Sequence, residues 1–174
     1  TTADDVAGFT VSETEGSTTV TEAGSTDVLN IVLNAQPDSD VVLSITSSDT
    51  GEATVTSSLT FTSANWDTAQ VVTVTGVDDD LIDGTITSTT TISVNDAASD
   101  NNFDGVADQT VSVSTTDDDV AGFTIVELDG STTVTEAGGT DTFTVVLNAQ
   151  PSSNVVLSIS SSCLLYTSDA ADEE

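Results

Sequence analysis

The chain has 174 residues with no Lys, no Arg and no His, whereas Asp and Glu number 30, for a formal net charge of −30. Because it has no cationic side chain, no carboxylate can form a salt bridge. The repulsion between the acidic groups can be reduced only by water, by backbone or hydroxyl donors, or by metal ions. Nucleic acids and anionic membrane surfaces are bound through Lys and Arg, so both are excluded as partners.

The same absences argue against an enzyme. Without His, Lys or Arg there is no Ser–His pair, no Schiff base, no imidazole metal ligand and no phosphate clamp. Two carboxylates can hydrolyse glycosides, but that chemistry needs a cleft with aromatic platforms, and aromatic residues are only 4% of the chain. We predict that the chain is not an enzyme.

Cysteine and long apolar runs are also scarce. The one Cys cannot form an internal disulfide, and no apolar run is long enough to span a membrane. A chain that is nearly free of Cys and rich in Asp, Thr and Ser is typical of a bacterial surface protein stabilised by metal instead of disulfides. We therefore expect an extracellular location, either secreted or on the cell surface.

What the chain does contain is a strand pattern. Hydrophobic residues make up 36% and alternate with Thr and Ser at a period of two, which predicts half-buried strands. The faces that carry this alternation are Leu29/Ile31/Leu33, Val41/Leu43/Ile45, Val72/Val74, Ile86/Ile92/Val94 and Val111/Val113. Turn clusters rich in Asp, Asn and Gly separate them, and Trp66 is expected to cap the core. The pattern predicts an all-β fold, an Ig-like antiparallel β-sandwich.

The sandwich is expected to occur in tandem repeat. Residues 4–48 recur as residues 118–162, and 33 of the 45 paired positions are identical. The offset of 114 residues is the size of a whole Ig-like domain, which has about 100 residues. We predict a first repeat over residues 4–117 and the start of a second, truncated repeat over residues 118–162.

The repeat ends abruptly at a tail. Residues 163–174 read CLLYTSDAADEE and hold the only Cys and the only Tyr of the chain. This segment resembles a translated reading frame of a transposase sequencing adapter. Our hypothesis is that the tail is not native sequence, and the alternative is true divergence at a terminal domain.

The first acidic constellation follows the apolar run 71–77. It comprises Asp78, Asp79 and Asp80, with Asp83 close behind. Neighbouring carboxylates repel one another by roughly 1 kcal/mol per close pair in water, and the chain offers no cation to offset this. Calcium takes about six to eight oxygen ligands in flexible geometry, so the cluster predicts a calcium site. The alternative is a solvated acidic turn.

Residues 18–80 resemble a Calx-β domain, a calcium-binding Ig-like module. The residues VTEAG at 20–24 resemble its opening V-x-E-x-G strand, and SLTFT at 58–62 with Gln70 and VTV at 72–74 resembles its next strand pair. VDDD at 77–80 resembles its acidic strand end.

The resemblance implies calcium ligands. They are Glu22, Asp78, Asp79 and Asp80, and Glu136 matches Glu22 in the second repeat. Two motifs of the family are reduced here, at residues 48–53 and after the acidic triplet, which leaves the number of ions open.

A second constellation covers residues 100–108, DNNFDGVAD. It fits the first nine positions of an EF-hand loop, in which Asp100, Asn102 and Asp104 supply side-chain oxygens and Asp108 stands at position nine. Position twelve is Val111 instead of Glu, so a complete EF-hand is excluded. The pattern predicts either a partial calcium loop or an ordinary turn, since Asp, Asn and Gly are common turn residues.

A third acidic cluster, Asp117, Asp118 and Asp119, lies where the two repeats join. A calcium ion held there could bridge the repeats and stiffen the array.

The leading hypothesis is a calcium-binding structural repeat of a large bacterial adhesin or surface fibre. Its partners would be neighbouring repeats of the same chain and, in a fibre, identical chains. Two alternatives remain at this stage. One is a filament subunit whose edge strands pair between chains. The other is a module that binds a glycan or a protein, with Trp66 as the visible candidate.

Overall fold

The computed structural model describes residues 5–162, and the predicted non-native tail at 163–174 lies outside the described residues. The described part is built from strands, with two short 3-10 turns at Asp96–Ala98 and Asn101–Phe103. The strands are β1 (Phe9–Glu13), β2 (Thr18–Thr21), β3 (Thr26–Leu33), β4 (Val41–Ser47), β5 (Ala53–Val55), β6 (Ser58–Phe61), β7 (Gln70–Gly76), β8 (Ile86–Val94), β9 (Gln109–Thr116), β10 (Phe123–Glu127) and β11 (Phe143–Leu147). The predicted all-β class is confirmed. None of the described helical turns is long and apolar enough to cross a bilayer.

Strands β1 to β9 form a sandwich of two sheets. One sheet has the order β1-β3-β7-β5 and the other has the order β2-β9-β8-β4-β6. The pairings within these sheets are antiparallel, as predicted, except that β2 runs parallel to β9. This exception arises because β1 and β2 belong to different sheets, so the chain crosses from one sheet to the other between Glu13 and Thr18.

The predicted apolar faces point into the sandwich. Alternate residues of β3, β4, β7 and β9 are buried, while Ile86 and Val94 at the two ends of β8 are half-buried. The buried hydrophobic residues of these strands, with two phenylalanines, are Leu29, Ile31, Leu33, Val41, Leu43, Ile45, Val72, Val74, Ile92, Val111, Val113, Phe61 and Phe103. Trp66 is half-buried and packs against this core, as its place beside a strand predicts.

The second repeat forms a smaller structure. Its strands β10 and β11 pair with the register Phe123↔Leu147, the equivalent of Phe9↔Leu33 in the first repeat. No third strand joins this hairpin within the described residues. Its apolar side chains are therefore largely exposed.

The two ends of the first sandwich differ in composition. At one end, β2, β7 and β9 finish and β5 begins, and each of these positions adjoins acidic residues. We call this end the acidic pole, and it comprises Glu22, Glu52, residues 78–83 and residues 117–119. The opposite end holds the turn at 34–40 and the loop at 100–108, which meet where the Asp38 N–H donates to the Asp100 carboxylate.

Candidate metal centre at the acidic pole

The pairing of β2 with β9 positions the first carboxylates of the pole. Thr21 pairs with Thr116, the last residue of β9. The chain continues in the same direction on both strands, so Glu22 and Asp117 leave the sheet side by side. The Glu22 N–H donates to the Thr116 carbonyl at 3.1 Å, which extends the pairing by one residue into the site.

The pairing of β5 with β7 brings in a third segment. Ala53 pairs with Gly76, and the Val77 N–H donates to the Glu52 carbonyl at 2.9 Å. Glu52, just before β5, therefore lies beside the start of the acidic run that follows β7.

Gly76 allows the two sheets to approach each other at this pole. A Cβ at that position would lie 2.0 Å from the Thr21 carbonyl oxygen, a separation that no side chain can occupy. The absence of a side chain at Gly76 lets the end of β7 lie against the end of β2. This close approach places the segment after β7 next to Glu22.

Two groups of carboxylates converge at the pole. Within the described residues, oxygens of Glu22, Glu52 and Asp83 lie within 4.8 Å of one another, and so do oxygens of Glu22, Asp79 and Asp119. Two ligands on opposite sides of a calcium ion, each about 2.4 Å from it, are about 4.8 Å apart. Both groups are therefore compact enough to surround one ion, and Glu22 belongs to both.

Burial makes these carboxylates unusual. Glu22 is 1% exposed and Glu52 is 7% exposed. One oxygen of each, and one of Asp119, is buried with no hydrogen-bond partner. Buried polar atoms in proteins are nearly always paired, so these three carboxylate oxygens are unusual and are available to bind a ligand.

Burial and crowding also change the acidity of the site. Burial, followed by the charges of Asp117, Asp79, Asp83 and Glu52, raises the pKa of Glu22 to about 7. The pKa of Glu52 is raised chiefly by burial and then by neighbouring carboxylates, and that of Asp119 is raised for the same two reasons. A cation at the pole would oppose these shifts, because it favours the ionised forms.

Asp117 has a different role from its neighbours. Its carboxylate accepts hydrogen bonds from the N–H groups of Asp83 at 3.0 Å, Gly84 at 2.8 Å and Asp119 at 2.7 Å. These backbone donors hold the pKa of Asp117 below its usual range. Asp117 thus ties the turn at 83–84 to the end of β9, which positions Asp83 and Asp119 for the two groups.

The structure brings together only some of the residues singled out in the sequence. Glu22, Asp79, Asp83 and Asp119 meet at the pole with Glu52. Three exposed residues lie outside both groups: Asp78, Asp80 and Asp118. Their charges nevertheless contribute to the raised pKa of Asp119. Direct ion binding by these three residues stays a prediction.

Glu136, the equivalent of Glu22, has different surroundings. It is exposed in the second repeat, and no converging group of three carboxylates forms around it in the described part of the chain. The partners of Glu22 come from sequence positions later in the repeat. A site at Glu136 also stays a prediction.

The loop at 100–108 lies at the other end of the sandwich. Asp100 is buried and accepts hydrogen bonds from the N–H groups of Asp38 at 2.6 Å, Ser39 at 3.0 Å and Asn102 at 2.9 Å. These donors lower its pKa. Because Asp100 is satisfied by backbone groups, its burial needs no ion. Asp104 and Asp108 are exposed, and calcium binding by this loop stays a prediction.

The sequence alone did not identify Glu52, nor did it join the clusters at 78–83 and 117–119 into one site. The only signal for Glu52 was its place within residues 48–53, where the Calx-β pattern is reduced. The two clusters meet because of the order of the strands in the sheets, and the spacing of residues along the chain does not predict that order.

Comparisons with known proteins give similarity only at the level of solved structures. No family model and no curated protein matches the chain. Similar structures include the E. coli chaperone DraB, at 7% identity and a TM-score of 0.45, which covers 67% of this chain and 59% of DraB. The apo form of the Calx CBD1 domain matches at 16% identity and a TM-score of 0.45, over 64% of this chain and 98% of that domain.

A third similar structure is CBD12 from CALX1.2, at 17% identity and a TM-score of 0.45, over 73% of this chain and 51% of that one. This chain therefore spans about three fifths of DraB and half of the CALX1.2 chain. The fold is assigned from the strand pairings themselves.

Proposed function

We propose that the first repeat is a calcium-binding structural module, and that Glu22 is the central ligand of its ion site. The proposal depends on the burial of Glu22 and on the carboxylates that surround it. Its side chain is buried, one of its oxygens has no partner, and carboxylates from three other segments of the chain converge on it.

The repulsion between the carboxylates of the acidic pole favours the binding of a cation there. Two unit charges 4.8 Å apart repel by roughly 3 kcal/mol at the effective dielectric constant of about 20 that suits protein sites. The chain has no Lys, Arg or His, so only protons or ions from solution can relieve this repulsion. At neutral pH a divalent cation is the stronger neutraliser, since it acts on several carboxylates at once.

The ligand chemistry favours calcium among the divalent cations. Zinc prefers His and Cys ligands, and the pole offers only carboxylates. Magnesium requires near-ideal octahedral geometry at short distances and retains several waters. A set of five carboxylates, of which Glu22 and Glu52 are buried and Glu22 belongs to both groups, suits the larger coordination number and flexible geometry of calcium.

An ion at the pole would connect the two sheets. Glu22 and Asp119 follow β2 and β9 of one sheet, whereas Glu52 and Asp79 adjoin β5 and β7 of the other. An ion that binds the folded but not the unfolded chain stabilises the fold by mass action. Extracellular calcium modules bind at roughly 10⁻⁴–10⁻³ M, so such a module would become fully stable only after secretion.

The wider role that we propose is that of a repeat in a bacterial adhesin or surface fibre. The recurrence of residues 4–48 at 118–162 supports an array. Asp119 supports a stiffening role for the ion, because it belongs both to an ion group and to the first residues of the second repeat. An ion bound there would hold the junction against the pole.

The test is thermal unfolding of the full chain with calcium, with magnesium and with EDTA. We expect calcium at about 10 mM to raise the melting temperature by about 3 °C or more, since an ion at about ten times its dissociation constant adds roughly 1.4 kcal/mol and 1 kcal/mol corresponds to roughly 2–8 °C for domains of this size range. Magnesium should give a much smaller rise. A melting temperature that is the same with calcium and with EDTA would contradict the proposal.

The two repeats supply a matched pair of variants for this experiment. Glu22→Gln removes the central ligand while keeping the size of the side chain, so it should abolish most of the calcium response. Glu136→Gln makes the same change at the equivalent exposed position and should leave the response intact. Equal responses in the two variants would show that calcium acts elsewhere.

A further inference from the structure

The acidic pole of the first repeat contacts the second repeat at a defined place. The Gln150 N–H donates to the Asp80 carbonyl at 2.7 Å, and Leu81 forms a parallel β-bridge with Gln150. Asp83 and Ser152 line the same crevice between the repeats. The segment that carries Asp79 and Asp83 therefore lies on the turn at 148–154 of the second repeat, which we call the receiving turn.

The receiving turn carries less negative charge than the equivalent turn of the first repeat, at residues 34–40. Among the 45 paired positions of the repeat, a carboxylate is replaced by a neutral residue at two only, where Asp38 pairs with Ser152 and Asp40 with Asn154. Both changes lie within four residues of Gln150. The four residues that begin the turn, NAQP at 148–151, are identical to 34–37, so the two turns differ chiefly in charge.

The receiving turn lacks these two charges where it lies against the carboxylates of the acidic pole. Exposed charges interact over a Debye length of about 10 Å at 0.1 M salt, and an Asp at 152 would share its crevice with Asp83. No cation in the chain could offset that repulsion. The equivalent turn of the first repeat carries exposed Asp38 and Asp40 and lies at the end of its sandwich away from the acidic pole.

We propose that the receiving turn is a docking surface for the acidic pole of the preceding repeat, and that Ser152 and Asn154 determine its specificity. The receiving turn contributes backbone groups and neutral side chains to the contact, whereas the pole contributes the charged Asp83. The proposal concerns the charge of the turn and so goes beyond the ion site. Phe123 and Leu147, which adjoin the crevice, are not part of the surface. Their equivalents, Phe9 and Leu33, are buried in the core of the first repeat.

The test restores the charge of the first repeat in the second. The variant Ser152→Asp/Asn154→Asp in the full chain introduces residues that the first repeat already carries at these positions, so local folding should tolerate them. The readout is hydrogen exchange of the Gln150 amide, measured by NMR in metal-stripped buffer at low salt. A second readout is the distance between spin labels placed one on each repeat, in a Cys163→Ser background.

We expect the parent chain to protect the Gln150 amide and the double variant to lose that protection by about tenfold or more, with a broader distribution of label distances. Added salt of about 0.5 M should restore part of the protection by screening. Ser131→Asp, which adds a charge to the second repeat away from the receiving turn, should leave the exchange rate unchanged.

Two outcomes would overturn the inference. One is a Gln150 amide that exchanges as fast as in an unstructured peptide in the parent chain, both in metal-free buffer and with calcium. The other is a double variant with unchanged protection. Because the double variant is compared with the parent chain in the same buffer, a difference between them reports the docking surface and not the ion site. A chain without any calcium response could still lose protection in the double variant.

Discussion

The two repeats share most of their sequence up to residue 162 but differ in how much they bury. Strands β1 and β3 pair in the same register as β10 and β11. Yet Phe9 is 3% exposed whereas its equivalent, Phe123, is 52% exposed. Residues 41–47 form strand β4, whereas the equivalent residues 155–161 form no strand.

The two repeats show that the amphipathic pattern is necessary for this core but is not sufficient to form it. In the first repeat, β7, β8 and β9 come from residues 70–116 and cover the faces of β3 and β4. The second repeat has the pattern without those strands. The same holds for the ion site, because Glu22 is surrounded by residues later in the repeat and Glu136 is not.

The largest effect should come from Gly76→Ala. Its new Cβ would overlap the Thr21 carbonyl oxygen. The overlap could be avoided only by moving the backbone of one of the two sheets, which would destabilise the fold. We expect a loss of more than about 4 kcal/mol in the free energy of unfolding, measured by denaturant titration. Gly105→Ala is the control, since nothing lies within 4 Å of its added Cβ. Equal stability of the two variants would contradict the close approach at the pole.

The next largest loss in the free energy of unfolding should come from replacing a core isoleucine of the first repeat, and its equivalent in the second repeat is the control. Ile45 is 2% exposed and Ile159 is 76% exposed. Ile45→Ala should cost about 3 kcal/mol, because it leaves a cavity in the core. Ile159→Ala should change the free energy of unfolding by less than about 0.5 kcal/mol. A similar cost at both positions, measured by denaturant titration, would mean that the second repeat also has a core.

The pH dependence should be smaller and should depend on metal. Because the pKa of Glu22 is about 7 in the folded chain and 4.5 in its ordinary state, the folded chain holds more protons between these values. Metal-free stability should therefore fall by about 2 kcal/mol from pH 5 to pH 7. Glu22→Gln should remove most of this fall, with a remainder from the raised pKa values of Glu52 and Asp119, and Glu136→Gln should not. A metal-free stability that rises over this range would contradict the raised pKa.

The smallest effect concerns the far end of the sandwich. Asp100→Asn keeps one acceptor for the turn at 38–39 but removes the charge that strengthens three hydrogen bonds. We expect a loss of about 1 kcal/mol in the free energy of unfolding, equal with and without calcium. Asp104→Asn, at an exposed position, serves as the control. A loss confined to calcium-containing buffer would instead indicate an ion in this loop.

Local pattern predicted the fold better than it predicted the site. Alternation along the chain located the inner faces of β3, β4, β7 and β9, because period-two burial is a local property of strands. The site depends on the pairs Thr21↔Thr116 and Ala53↔Gly76, which join residues far apart in the sequence. Asp79 was found in the acidic cluster after the apolar run 71–77 and Glu22 through the family resemblance, whereas Glu52 needed the sheet order.

We propose that calcium binds between Glu22 and the carboxylates around it. The most direct measurement is anomalous diffraction at long wavelength from crystals of the full chain grown in calcium. We expect at least one anomalous peak about 2.3–2.6 Å from an oxygen of Glu22, with Glu52 and Asp83 or Asp79 and Asp119 as further ligands. A pole without any peak, or peaks confined to the loop at 100–108, would contradict it.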